Sequence, residues 1–194
     1  MRNRLLVSLC LCVAWSVALS PAAEAQAEAT GESTAEPTVD KVPVFPAGMN
    51  GVTLYRIPGV VVTTRGTVLA YCEARTNTRA DWGEIEVHLR RSTDGGKSWQ
   101  TPQRIAHRGS RIEGNPRNPQ AGQQEQTVNN PVAIVDRASG EIMLLYCINY
   151  ARCFSIRSAD DGVTWSDPVE ITATFEPFRK RYDWKVIATG PGHG

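Results

Sequence analysis

Ser92, Asp94, Gly96, Ser98 and Trp99 spell a pattern, S-x-D-x-G-x-[ST]-W, that returns as Ser158, Asp160, Gly162, Thr164 and Trp165. Each copy follows a β-rich run ending in Arg-Ser. The pattern has a local physical explanation. The Asp carboxylate accepts bonds from turn amides, the Gly supplies a backbone with φ > 0, and the Trp packs the turn onto a neighbouring strand. A long period with the same turn in each unit predicts stacked supersecondary units, and the strand-rich content suits a four-stranded β-propeller blade best.

The body of the chain is a run of short strands with no helical period. Segments 60–63, 67–73, 85–91, 132–136, 142–148 and 154–157 are rich in Val, Ile, Leu, Tyr and Thr and lie between Gly, Pro, Asn and Asp clusters. They group into two blades, about 54–106 and 129–172, joined by the polar segment 107–127. A loop of that length inside a compact domain is usually functional or disordered, and this one is placed to overhang one face. A third blade is expected to start at Trp184. A propeller closes with about four to eight blades, so the chain reads as the amino-terminal part of a longer protein; pairing with another copy is the alternative.

The 194 residues carry a formal net charge of +1, with a sequence pI near 7.7. No electrostatic footprint points to nucleic acid or to an anionic membrane. Arg2 and Arg4, the apolar run from Leu5 to Leu19, and Ala23 to Ala27 read as an export signal over residues 1–27, leaving no stable membrane span after cleavage. An uncleaved anchor is the competing reading. Residues 28–44 hold few large apolar side chains and read as a disordered linker. The chain is therefore expected to be exported: secreted, periplasmic or at the cell surface.

Cys72, Cys147 and Cys153 remain after the leader, without a ligand-like Cys-x-x-Cys spacing, so no metal site is indicated. Two readings stand: a Cys147 to Cys153 bridge, or small apolar residues in strands, which the pattern favours.

Tyr55-Arg56-Ile57-Pro58 opens the first blade, an acidic loop follows at Asp81, and the two Asp-box turns close the blades. This ordered set resembles the exo-α-sialidases (neuraminidases), whose fold is an all-β, six-bladed propeller. The resemblance covers about residues 44–194. It implies that Arg56 is one of three arginines that clamp the sialic acid carboxylate. Arginine suits that task because its planar fork grips a carboxylate bidentately and keeps its charge. It further implies that Arg75 lies near the sugar 4-hydroxyl and that Asp81 serves as general acid and then base. Trp82 can close over the sugar or pack on a blade edge. His193 is similar to a loop residue near the family's site, but a histidine between glycines has no defined role by itself.

One departure stands out. Many family members have an aspartate directly before the proline of the second blade's inner strand, where this chain has Asn130 before Pro131. An amide can still hydrogen-bond a hydroxyl or N-acetyl group but adds no negative charge. The family's nucleophilic tyrosine, its glutamate and two further arginines are expected beyond residue 194, since Tyr55, Tyr71, Tyr146, Tyr150 and Tyr182 all fall too early. The implied reaction is retaining hydrolysis of terminal sialic acid from sialylated glycans, without a cofactor. A neutral tyrosine nucleophile avoids repulsion from the carboxylate on the anomeric carbon. The competing reading is a secreted Asp-box propeller that binds glycans or proteins without catalysis.

Overall fold

The structure is a computed structural model that describes residues 39–77, 79–112 and 125–192. The expected export signal, most of the linker, the middle of the 107–127 segment and His193 lie outside the described residues. All the strands and helical turns belong to one compact unit that begins at Asp40.

Among the described residues, eight strands form two four-stranded sheets. The first contains β1 (Leu54–Val62), β2 (Val68–Arg75), β3 (Ile85–Ser92) and β4 (Gln103–Arg104); the second contains β5 (Val128–Val135), β6 (Ile142–Ile148), β7 (Arg152–Ser158) and β8 (Val169–Glu170). Each is an antiparallel meander in chain order, the arrangement of a propeller blade.

The core lies where the blades stack. Leu69 and Tyr71 alternate on β2, Val87 and Leu89 on β3, and Ile142, Leu144, Tyr146 and Ile148 on β6, so each strand sends one face into a shared cluster. Burying a large apolar side chain contributes about 1.5–3 kcal/mol. Tyr71 also accepts the Ala133 N–H on its hydroxyl at 3.0 Å, which registers the second blade on the first. Gly59 stands opposite Tyr71, and a Cβ there would come within 2.2 Å of the tyrosine ring, so no larger residue fits.

The seam has a second fastening at its other end. Asp161, in the second Asp box, takes a left-handed φ of 67° and reaches the first blade. Its carboxylate accepts the Thr67 hydroxyl and lies 3.6 Å from Arg91 Nη2; its carbonyl accepts Arg91 Nε at 2.9 Å.

Both Asp boxes form the expected turns. Asp94 Oδ1 accepts the Ser98 N–H at 2.9 Å and Asp160 Oδ1 accepts the Thr164 N–H at 2.8 Å. Ser92 and Ser158 each donate to the box aspartate and accept the N–H of Gly96 or Gly162, both with positive φ. Trp165 joins the core, whereas the Trp99 indole turns back to the Gly96 carbonyl at 3.0 Å. Asp40, Lys41, Val42 and Val44 face the first box across a cavity of about 680 Å³, and the Val44 carbonyl accepts Arg90 Nη1.

Three elements differ from the sequence reading. β1 joins the Tyr55–Pro58 segment that opens the blade to the expected 60–63 in one strand from Leu54, because the register shifts between Arg56 and Gly59 and so accommodates Pro58 at a bulge. A 3-10 helical segment, Thr172–Lys180, follows β8. It is short, carries Pro177 inside it and buries no side chain fully, so its signal in the sequence is weak. Residues 184–192 hold no strand. Trp184 and Ile187 instead cover Cys147 and Cys153 on the second blade, and the Ile187 N–H bonds the Tyr150 carbonyl at 2.8 Å.

Candidate functional site

The site lies where the start of β1, the end of β2, the 79–83 loop, the start of β5 and the β6–β7 turn meet. The pairing of Leu54 with Arg75 and of Val128 with Ile148 puts these ends at the same edge of the two blades. The Asp boxes close the opposite edge, since Ser92 pairs with Val68 and Ser158 with Ile142. Ser92, Asp94, Gly96, Trp99, Ser158, Asp160, Gly162 and Trp165 are therefore framework residues, apart from the site.

Arg56, Arg75 and Asp81 come together. Asp81 Oδ1 lies 2.9 Å from Arg75 Nη2 and 3.2 Å from Arg56 Nη1, so one carboxylate oxygen joins two guanidinium groups. The two arginines differ in setting. The Arg75 side chain is 1 % exposed, whereas those of Arg56 and Asp81 are 48 % and 60 % exposed. Arg75 is thus a fixed part of the wall, and Arg56 with Asp81 forms an accessible pair that a ligand carboxylate can enter.

Glu73 explains how a buried arginine is tolerated. Its Oε2 accepts Arg75 Nη2 at 2.6 Å and Nε at 3.1 Å, while Arg75 Nη1 donates to the Ala80 carbonyl at 2.6 Å. Burial works against the charged arginine, but Glu73 and then Asp81 more than offset it and raise its pKa. The Ala80 contact also fixes the loop that presents Asp81. Glu73 was not singled out in the sequence, where its signal was only a carboxylate two residues from Arg75, on the same face of the strand.

The innermost strands share a device. β1 breaks register between Arg56 and Gly59, and β5 between Asn129 and Val132, in each case around a residue with positive φ directly before proline: Ile57 at 54° and Asn130 at 52°. For a β-branched residue that conformation is costly, and it persists because its surroundings impose it. The turned Asn130 N–H donates to Glu73 Oε1 at 2.9 Å, and its carbonyl accepts the Thr189 hydroxyl at 2.6 Å. The side chains of Asn130 and of buried Asn129 both lie against the Tyr150 phenol, which hydrogen-bonds to them.

Tyr150 and Trp82 complete the edge, with ring centroids 4.6 Å apart. The sequence reading set Tyr150 aside as too early for the family nucleophile. Burial first, then the charges of Glu73 and Asp81, push its phenol above the ordinary range, so it is a neutral wall residue at physiological pH.

Together these parts define the class: a stacked pair of Asp-box blades with an arginine–carboxylate site at one edge. Residues 66–194 match the BNR repeat-like domain, and the chain belongs to that family. The chain is similar to sialidases. A sialidase of Bacteroides fragilis is 31 % identical over 174 residues, covering 79 % of this chain and 30 % of the relative; an exo-alpha-sialidase of Arthroderma benhamiae is 27 % identical over 156 residues, covering 72 % and 37 %. Among solved structures, the Hadza microbial sialidase Hz136 superposes with a TM-score of 0.54 at 26 % identity, covering 66 % of this chain and 28 % of that one. The chain spans about a third of the length of these curated relatives. The two sheets are accordingly blades of a sialidase-type β-propeller.

Proposed function

We propose that these two blades supply the carboxylate-binding and acid–base part of an exo-α-sialidase that releases terminal sialic acid from glycans with retention. The observation that supports this reading best is Asp81 Oδ1 shared between Arg75 and Arg56. The substrate carboxylate replaces Asp81 on Arg56, and the displaced Asp81, still held by Arg75, turns towards the glycosidic oxygen. It protonates that oxygen as the sugar departs and then takes a proton from the attacking water. Trp82 and Tyr150 wall the site, and the amide of Asn130 beside them is suited to a hydroxyl or N-acetyl group. The nucleophile is assigned to none of the tyrosines described here. Export under the basic, apolar leader belongs to the same proposal, since sialylated glycans are abundant outside cells.

The test joins this chain to the unmatched remainder of the Bacteroides fragilis sialidase and assays a fluorogenic sialoside. Turnover that is lost on Arg56→Ala and Asp81→Ala is expected. Undiminished turnover in both variants overturns the assignment. Turnover absent from the parent chimaera, together with saturable glycan binding by this chain that survives both substitutions, supports a non-catalytic binding module instead.

A further inference from the structure

Cys147 and Cys153 stand directly opposite each other on β6 and β7. The Cys153 N–H donates to Thr172 Oγ1 at 2.9 Å, and its carbonyl accepts the Ile171 N–H at 2.8 Å. Both backbone groups of Cys153 thus turn away from β6, which makes this a non-hydrogen-bonded pair. Such pairs are the closely spaced kind, with Cα atoms about 4.5 Å apart and side chains on one face. That separation falls within the span of about 4.4–6.8 Å that a disulfide bridges. Both residues are buried free thiols, sealed by Trp184 and Ile187.

We propose that Cys147 and Cys153 are a cross-strand disulfide site, closed by exchange with a small disulfide such as oxidised glutathione. The Cys153 thiol donates to Cys147, and the Thr189 hydroxyl lies 3.8 Å from Cys147 Sγ. These contacts favour the Cys147 thiolate and disfavour that of Cys153, so Cys147 attacks first. When Trp184 and Ile187 lift from the pair, its thiolate attacks one sulfur of the oxidised glutathione, breaking that S–S bond and releasing one glutathione thiolate. Cys153 then loses its proton, attacks Cys147 Sγ in the mixed disulfide and expels the second glutathione thiolate. Two thiol protons end on two glutathione molecules, and two electrons pass from the cysteines to the oxidant. The new bond would lie just behind the 149–151 turn, so it would pin the tip that packs Tyr150 against Trp82 beside Asp81. Cys72 serves as an internal control: it is buried and faces His88 rather than a thiol.

The experiment equilibrates the full folded chain in glutathione buffers from reduced to oxidised, alkylates the free thiols and maps tryptic peptides by mass spectrometry. Cleavage after Arg137, Arg152 and Arg157 places the two cysteines on separate peptides, 138–152 and 153–157, which stay joined only through an S–S bond. The joined pair is expected to grow with the oxidised fraction, to disappear on reduction, to persist in Cys72→Ser and to be absent from Cys147→Ser. Recovery of both peptides separately alkylated from fully oxidised buffer overturns the proposal. So does a stable glutathione adduct on Cys147 with Cys153 still alkylated, or a joined pair that forms only after denaturation. Should the serine variants fail to fold, the redox series on the native chain decides by itself.

Discussion

The Glu73 carboxylate accepts the backbone N–H of Asn130 at 2.9 Å, from the blade next to its own. Its other oxygen holds Arg75, which in turn holds Asp81. One buried side chain therefore fixes the kink of the second blade and the arginine of the first.

Replacing Glu73 by Ala strands the buried Arg75 charge and leaves the Asn130 N–H unsatisfied. The loss should be about 3–5 kcal/mol of stability, the range for breaking a buried ion pair from one side. Glu73→Gln keeps an acceptor for Asn130 and should cost less. Urea denaturation midpoints of the two variants decide, and a Glu73→Ala protein as stable as its parent contradicts the role given to this residue.

Arg56→Lys in the chimaera keeps the charge but loses the planar fork. A lost charged hydrogen bond of about 1.5–3 kcal/mol lowers kcat/KM by about 10- to 150-fold. Wild-type kinetics in this variant would return Arg56 to the status of an ordinary strand residue.

Asp81→Ala separates proton donation from mere electrostatics. Sialyl-galactosides, whose alkoxide leaves poorly, should lose most of their glycosylation rate, while aryl sialosides, whose phenolate departs unaided, should lose far less. Presteady-state rates on the two substrates are the measurement. An equal loss on both would mean that Asp81 does not act as the acid.

Acid should loosen the Asp boxes. The Thr164 hydroxyl, followed by its N–H, holds the Asp160 carboxyl at about 2, against about 3.9 in an unfolded chain. Asp94 is lowered in the same way by Ser98. A lowered folded value means that the stabilisation is fully present above about pH 4 and is lost as pH falls towards 2. Thermal midpoints measured across that window should fall, and Asp160→Asn should flatten the slope. An unchanged slope would show that the box carboxylate contributes nothing to acid stability.

Much of this was legible in the chain because its signals are local. The apolar run between turn residues predicted β6 at 142–148, the bounds observed, and both Asp-box turns follow from their own residues. Arg56, Arg75 and Asp81 were linked by resemblance, and the structure adds the shared oxygen. What escaped notice depends on contacts between distant residues. Glu73 acquires its role from Asn130, far along the chain, and Asp161 acquires its own from Thr67 and Arg91. The bulge at Pro58 was not read from the sequence, because it is set by the neighbouring strand as much as by the proline itself.

The matched kinks at Ile57 and Asn130 bear on how such a protein can change over time. Each blade bends its innermost strand at the same step, just before a proline, while the packing that holds the blade lies further along. Arg56 and Asn129 occupy equivalent steps just before the kink. A mutation there alters what the blade offers to a ligand while leaving the sheet register and the far-edge turns untouched. Recognition and foldability are thereby placed under separate selection, so one scaffold can drift in specificity without first losing its shape.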